Sequence, residues 1–252
     1  MTSPLAISCI VFACVFGGGL LGLVLRTVLP AHHLSAESKD LVKLGMGLVG
    51  TMTALVLGLL IASAKGSYDT QRSEVVQMSA NVILLDRTLA HYGPETKETR
   101  DLLRAAVSRM RDQLWPSNTS RPEGLEPTAA GGEVLYDKVQ ELSPHSDAQR
   151  SMQAHALNVA LALGQTRLLL FEQRGSSISM PLLVVVVFWL TIIFVSFGLF
   201  SPPNATVVAT LFVCALSVSG AIFLVLELDR PFSGLIQISD APLRNALAHL
   251  GQ

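Results

Sequence analysis

LVKLGMGLVGTMTALVLGLLIASAKGSYDTQRSEVVQMSANVILLDRTLAHYGP, residues 41–94, changes its solvent without changing its secondary structure. From Leu41 to Ala64 it is apolar and long enough to cross roughly 30 Å of hydrocarbon at about 1.5 Å per residue. Beyond Lys65 charges appear, yet Tyr68, Val75, Val82 and Leu89 recur every seven residues, interleaved with Met78, Leu85 and Tyr92. That is the a/d seam of a helix packing on other helices. The stretch therefore reads as one rod that leaves the membrane and continues into a bundle. It stops at Gly93-Pro94, where glycine takes a left-handed cap and proline blocks continuation. Counted from Leu41 to Tyr92, the rod has 52 residues and a length of about 78 Å.

Working outward, half of the 252 residues are apolar and only 15% are charged, which makes this a membrane protein. Three more stretches qualify as spans: Leu5 to Leu25, Met180 to Phe200 and Ala205 to Leu226. The first is not read as a cleaved signal, because no Lys or Arg precedes it and Arg26 stands where small residues should mark cleavage. The expected fold is all-α. A transmembrane hairpin occupies 1–64, a helical insert 65–177, a second hairpin 178–226, and a corner with a tail helix 227–252.

Lys65 to Arg174 holds 13 basic and 14 acidic residues, so the insert has no electrostatic footprint for nucleic acid. Basic residues near the span ends set the orientation. Lys65, Arg72, Arg167, Arg174, Arg230 and Arg244 lie on the side of the termini and insert, against Arg26, Lys39 and Lys43 on the other. Six against three places both termini and the insert in the cytoplasm of a bacterial inner-membrane protein. Within the insert, helices are predicted from Glu95 to Trp115, from Glu133 to Leu142, and from a Ser146 cap towards the third span through Gly175-Ser176-Ser177. Pro116 to Gly132, rich in Pro, Gly, Ser and Thr, reads as a variable or disordered loop.

Chemistry-bearing patterns are sparse. His32-His33 beside Glu37 and Asp40 reads either as a metal site or as polar residues in an external turn. The other histidines lack ligand spacing. Cys9, Cys14 and Cys214 fall inside spans and read as small apolar filler. There is no nucleophile elbow, phosphate-cradling loop or HExxH, so neither an enzyme nor a resident cofactor is expected.

The spans carry more. Gly50, Ala54, Gly58, Ala62 and Gly66 recur every four residues as a small stripe that lets another helix approach closely. Gly18 and Gly22 in the first span offer a partner. Such packing serves either the four-helix subunit or contacts between subunits around an axis. If an axis exists, Thr53, Val56, Leu60 and Ser63 form an apolar face flanked by hydroxyls, the candidate lining of a conduit. The heptad seam projects back to Ile61 and Leu57, a different face.

After the last span comes Glu227-Leu228-Asp229-Arg230-Pro231-Phe232-Ser233-Gly234. Charges are cheap at an interface, Pro231 ends the helix and Gly234 turns the chain. The tail, with Ile238, Leu243, Ala246, Leu247 and Leu250, then lies along the membrane surface or against the rod. The corner formed by Glu227, Asp229, Arg230, Pro231, Phe232 and Gly234 reads as architecture docking the tail, or as an ion or ligand site at the mouth.

This closing motif, with two spans, a long helical insert and two more spans, resembles the bacterial bestrophin-like family over essentially the whole chain. The stretches His33-Leu34-Ser35, Ser38-Lys39-Asp40 and Ala62-Ser63-Ala64-Lys65 look like its proteobacterial members. The resemblance to bestrophins implies pentameric anion channels with four spans per subunit, both termini inside, and a pore lined by the second helix. The sequence has no calcium-clasp acidic cluster and no phenylalanine in the second span, so calcium gating and anion selectivity do not carry over. The expectation is a homo-oligomeric ion channel or transporter-like protein in the lipid bilayer. The alternative is a non-conducting scaffold or sensor that binds a partner through its helical bundle. A membrane enzyme stands third.

Overall fold

The computed structural model describes residues 3–30, 36–115, 130–173 and 178–251. Among these every regular element is helical: α1 (Pro4–Val28), α2 (Ala36–Tyr92), α3 (Lys97–Leu114), α4 (Ala130–Gln140), α5 (Asp147–Glu172), α6 (Met180–Phe200), α7 (Ala205–Leu228) and α8 (Ala241–His249). The rod expected from Leu41 to Tyr92 is helical throughout and begins five residues earlier, at Ala36. Four helices are long and apolar enough to cross a membrane. The His32-His33 turn, the Gly175-Ser176-Ser177 connection and most of the Pro116–Gly132 loop lie outside the described residues.

The chain divides into two compact units, Met1–Ser67 with Ser176–Asp229, and Tyr68–Gly175 with Arg230–Gln252. In the first, α1, α6, α7 and the opening half of α2 share a core that includes Val15, Leu60, Val186, Ala215 and Ile222. Ser3 and Asn204 cap α1 and α7, accepting from the backbone N–H of Ala6 at 3.2 Å and of Val207 at 2.8 Å. The closest helix crossing is α1 on α6. A Cβ on Gly22 would strike the Val195 carbonyl, one on Gly18 would lie 2.9 Å from the Thr191 methyl, and one on Gly198 would strike the Gly19 carbonyl. Glycine is required there because the two backbones themselves touch. Phe12 and Phe212 add an edge-to-face pair at 5.4 Å. Two hydroxyls of this unit bond within their own helices: Ser8 donates to the Pro4 carbonyl and Thr191 to the Val187 carbonyl, which makes their burial inexpensive.

The second unit is the helical bundle. Val75, Met78, Val82, Leu85 and Leu89, the seam positions of α2, are essentially fully buried against Leu103 and Val107 of α3, Val139 of α4 and Ala156 of α5. Ser146 caps α5, accepting from Gln149 N–H at 3.2 Å. Gln153 Nε2 donates to the carbonyls of Val139 and Leu142, closing the otherwise orphaned end of α4. At Gly93 the chain takes φ +149° rather than the expected left-handed cap, and a short 3₁₀ turn, Pro94–Thr96, leads into α3. Thr96 Oγ1 ties that turn down by donating to the Leu89 carbonyl at 2.6 Å. α8 joins this core through Leu243, Ala246 and Leu250, so of the two places predicted for the tail it occupies the bundle.

Candidate functional site

Two features organise the chain for function: the uncovered face of α2 and the clamp on the tail. At about 100° per residue, the inward face of α2 within the membrane unit is centred on Thr53, Leu57, Leu60 and Ala64. Thr53 and Leu60 are each 4% exposed, and Val56 and Leu57 are half-buried against the same core. This corrects the lining expected from sequence. Of Thr53, Val56, Leu60 and Ser63, only Ser63 is exposed, and the other three pack inside the subunit. The physical reason is visible at Thr53, whose hydroxyl donates to the Val49 carbonyl at 2.7 Å and so needs no aqueous lumen. Ile61, reached by projecting the heptad seam backward, is 41% exposed. At about 100° per residue Ile61 falls about 70° from the centre of the Thr53, Leu57, Leu60 and Ala64 face, at its edge.

The opposite face carries Leu44, Leu48, Thr51, Leu55, Gly58 and Ala62. Leu55 is 70% exposed. Nothing lies within 4 Å of a Cβ placed on Gly50, Gly58 or Gly66, and Ala54 and Ala62 are exposed. Among the described residues the small stripe therefore has no partner within the subunit. Gly18 and Gly22, expected to meet it, pack on α6 instead. The sequence reading missed Gly198, the glycine that completes that crossing; its position two residues before the end of an apolar span was the available signal.

The tail clamp lies in the bundle unit. Past Asp229, which caps α7 through its N–H to the Val225 carbonyl, Pro231 is buried and Phe232 meets Trp115 edge-to-face at 5.2 Å. The Pro231 carbonyl accepts from Ile238 N–H at 2.7 Å, closing a loop in which Gly234 holds φ +103°. Trp115 Nε1 donates to the Ile238 carbonyl at 2.7 Å and Tyr68 OH to the Gln237 carbonyl at 3.3 Å. Further along, Arg104 donates to the carbonyls of Leu247 and Leu250 at the end of α8, where the helix leaves acceptors unmatched. Gly251 N–H reaches Asp86 Oδ2 at 3.3 Å, and Asp86 holds Arg100 through two bonds of 2.7 and 2.9 Å. Asp86, Arg100, Arg104 and Trp115 escaped the sequence reading. The only hints were a carboxylate adjoining seam residue Leu85 and a tryptophan in an otherwise polar insert. Within the membrane unit Glu227 is buried.

Among the described residues no three His, Cys, Asp or Glu side chains gather as a metal site. The thiols of Cys9, Cys14 and Cys214 are free and stand on outward positions of their helices.

The model of the bestrophin-like domain matches residues 13–243. The chain belongs to the bestrophin-like family. Its fold is that of solved bestrophin homologues. One crystal structure of a single-site variant of a bacterial bestrophin homologue from Klebsiella pneumoniae aligns over 100% of both chains with a TM-score of 0.71 at 14% identity. A second variant of that homologue aligns over 94% of this chain and 99% of the other, with a TM-score of 0.64 at 14% identity. No curated protein matches the sequence. In this bestrophin-like chain, the helix with the uncovered face is the second apolar helix, and the residues Glu227 to Gly234 link α7 to the clamped tail.

Proposed function

We propose that this bestrophin-like protein assembles as a ring of identical subunits around an ion conduit in a bacterial inner membrane, with α2 of each copy turned to the shared axis. The observation that carries the reading is how little of α2 its own subunit covers. Only 11% of its apolar window is buried, against 39% for α1, 33% for α6 and 22% for α7. The uncovered face also has the asymmetry a ring needs. Its centre holds Thr51, Leu55 and Ala62; one flank holds Gly47, Gly50 and Ala54, and the other holds Met52 and Leu59. In a cyclic, head-to-tail contact the small flank of one copy receives the large flank of the next, leaving the centre towards the axis. A mostly apolar ring of Leu55 with Thr51 one turn away has the character of a hydrophobic constriction.

Five copies, both termini and the 65–177 insert on the cytoplasmic side, follow from the family resemblance and from the six basic residues that flank the spans on that side. The test is to reconstitute the purified protein in lipid, weigh the assembly, and measure ion flux in liposomes. A defined oligomer with flux above protein-free vesicles is expected. A monomer, or an oligomer silent across ions, pH and voltage, refutes conduction, the latter leaving the membrane scaffold in its place.

A further inference from the structure

Arg26 stands in the last turn of α1, where the helix dipole favours a cation. Its place around that helix is less expected. Counting back four and seven residues reaches the buried Gly22 and Gly19, so Arg26 falls on the stripe that packs inside the subunit rather than on the lipid face. The side chain is half-buried, and its Nη1 is fully buried and meets no hydrogen-bond acceptor. Among the described residues no ion pair joins Arg26. An ordinary arginine at a membrane boundary lays its stem along apolar neighbours and keeps its guanidinium in water. Arg26 instead buries one arm of its fork, and a buried guanidinium N–H without an acceptor is among the costlier groups in a fold.

The elements around it indicate the acceptor. α1 runs parallel to α6, since Gly18 lies against Thr191 and Gly22 against Val195. After the link at 201–204, α7 returns antiparallel and sets Leu211 beside Gly19. Arg26 lies seven residues beyond Gly19 and Asn204 seven before Leu211, so both stand about 10 Å from that contact, at one level. There α7 begins. Asn204 Oδ1 accepts from the Val207 N–H at 2.8 Å, which leaves the N–H groups of Ala205 and Thr206 without an intrahelical acceptor. The link itself, Ser201, Pro202, Pro203 and Asn204, contributes no carboxylate. The apolar run of α1 ends at Leu25, which puts Arg26 at the depth of lipid headgroups.

We propose that the guanidinium of Arg26 binds a phosphate group at this end of the membrane unit. The orphaned Nη1 carries the assignment, because it requires an acceptor that the subunit does not supply. The charge follows from the guanidinium, and the opening turn of α7 favours the same sign. Phosphate is the anion at that depth, and its tetrahedral oxygens suit the arginine fork. The group belongs to a phospholipid or to free inorganic phosphate, two sources of one chemistry. The site is separate from the uncovered face of α2, and its occupancy does not depend on conduction.

The test is native mass spectrometry of the full-length protein, delipidated in a neutral detergent, with three probes: phosphatidylglycerol, diacylglycerol of the same acyl chains, and inorganic phosphate. A phosphate-bearing probe is expected to bind saturably, once per subunit, and about tenfold more tightly to the unaltered protein than to Arg26→Gln. Dependence on Arg26 with phosphatidylglycerol that inorganic phosphate does not displace identifies the lipid; Arg26-dependent binding of inorganic phosphate with lipid binding unchanged identifies the free ion. Lys43→Gln removes an exposed cation and should alter either affinity by less than about twofold. Thermal unfolding of the same samples separates binding from folding. The bound probe should raise the Tm of the unaltered protein and not that of Arg26→Gln, while without probe Arg26→Gln should unfold no lower than the unaltered protein, since it loses no partner. Affinities for both phosphate-bearing probes that differ less than about twofold between the unaltered protein and Arg26→Gln, diacylglycerol bound as tightly as phosphatidylglycerol, an equal loss in Lys43→Gln, or a lower Tm of Arg26→Gln without probe overturns the assignment.

Discussion

Replacing Asp86 with alanine strands a guanidinium inside the bundle. The Asp86 side chain is 5% exposed and that of Arg100 21%, and their bonds at 2.7 and 2.9 Å form a two-pronged pair. Removing one member of a fully buried pair costs about 3–5 kcal/mol, because the other charge remains without compensation. Arg100 retains about a fifth of its accessibility and can recover some hydration, which lowers the expected cost to about 2–3 kcal/mol. The 3.3 Å contact from Gly251 N–H adds little to this, but it ties the tail to the same carboxylate. Hydrogen exchange on the full-length protein in lipid reads the effect locally. A loss of about 2 kcal/mol corresponds to roughly thirtyfold faster exchange where opening of the clamp limits it, at the amides of α3 and α8. Adding Arg100→Met removes the stranded charge, so the double variant should be at least 1 kcal/mol more stable than the sum of the two single losses. Exchange within twofold of the unaltered protein in Asp86→Ala, or strict additivity in the double variant, refutes the clamp.

Trp115→Phe keeps the ring beside Phe232 but leaves the Ile238 carbonyl without its donor; a loss of about 1–2 kcal/mol is expected, read as faster exchange over residues 232–240. Gly22→Leu must drive α1 away from the Val195 carbonyl, costing at least about 1–3 kcal/mol and lowering the yield of folded protein in detergent. Gly58→Leu meets open space in the subunit, so it should leave that yield unchanged while altering the mass of the assembly in lipid. Gly234→Ala forces a side chain onto φ +103°, a strain of about 1–3 kcal/mol that thermal unfolding should detect.

The architecture was legible in residues 41–94 because burial leaves period and composition in the same stretch. The seam at Val75, Met78, Val82 and Leu85 says which face is covered, and the apolar run before Lys65 says which solvent surrounds it. Faces inside the membrane were harder to read. There lipid and protein are equally apolar, so hydropathy does not separate the inward Leu60 from the outward Leu55, and hydroxyls mislead because helices satisfy them internally, as at Thr53. The clamp was invisible for another reason. Arg104, Trp115 and Asp86 act on backbone carbonyls and an amide more than 100 residues away in sequence, and backbone partners leave no residue pattern. The corner showed its turn through Pro231 and Gly234, but its docking partner Trp115 emerges only in three dimensions.

The central claim is that the uncovered face of α2 turns to an aqueous axis while the Thr53 face stays inside the subunit. Cysteine accessibility tests it directly. In a background with Cys9, Cys14 and Cys214 replaced by alanine, Leu55→Cys and Thr53→Cys are reconstituted separately, and liposome flux is measured before and after a charged, membrane-impermeant thiol reagent. The account predicts that the reagent blocks flux through Leu55→Cys and leaves Thr53→Cys unaffected. Block at Thr53→Cys with none at Leu55→Cys would contradict it.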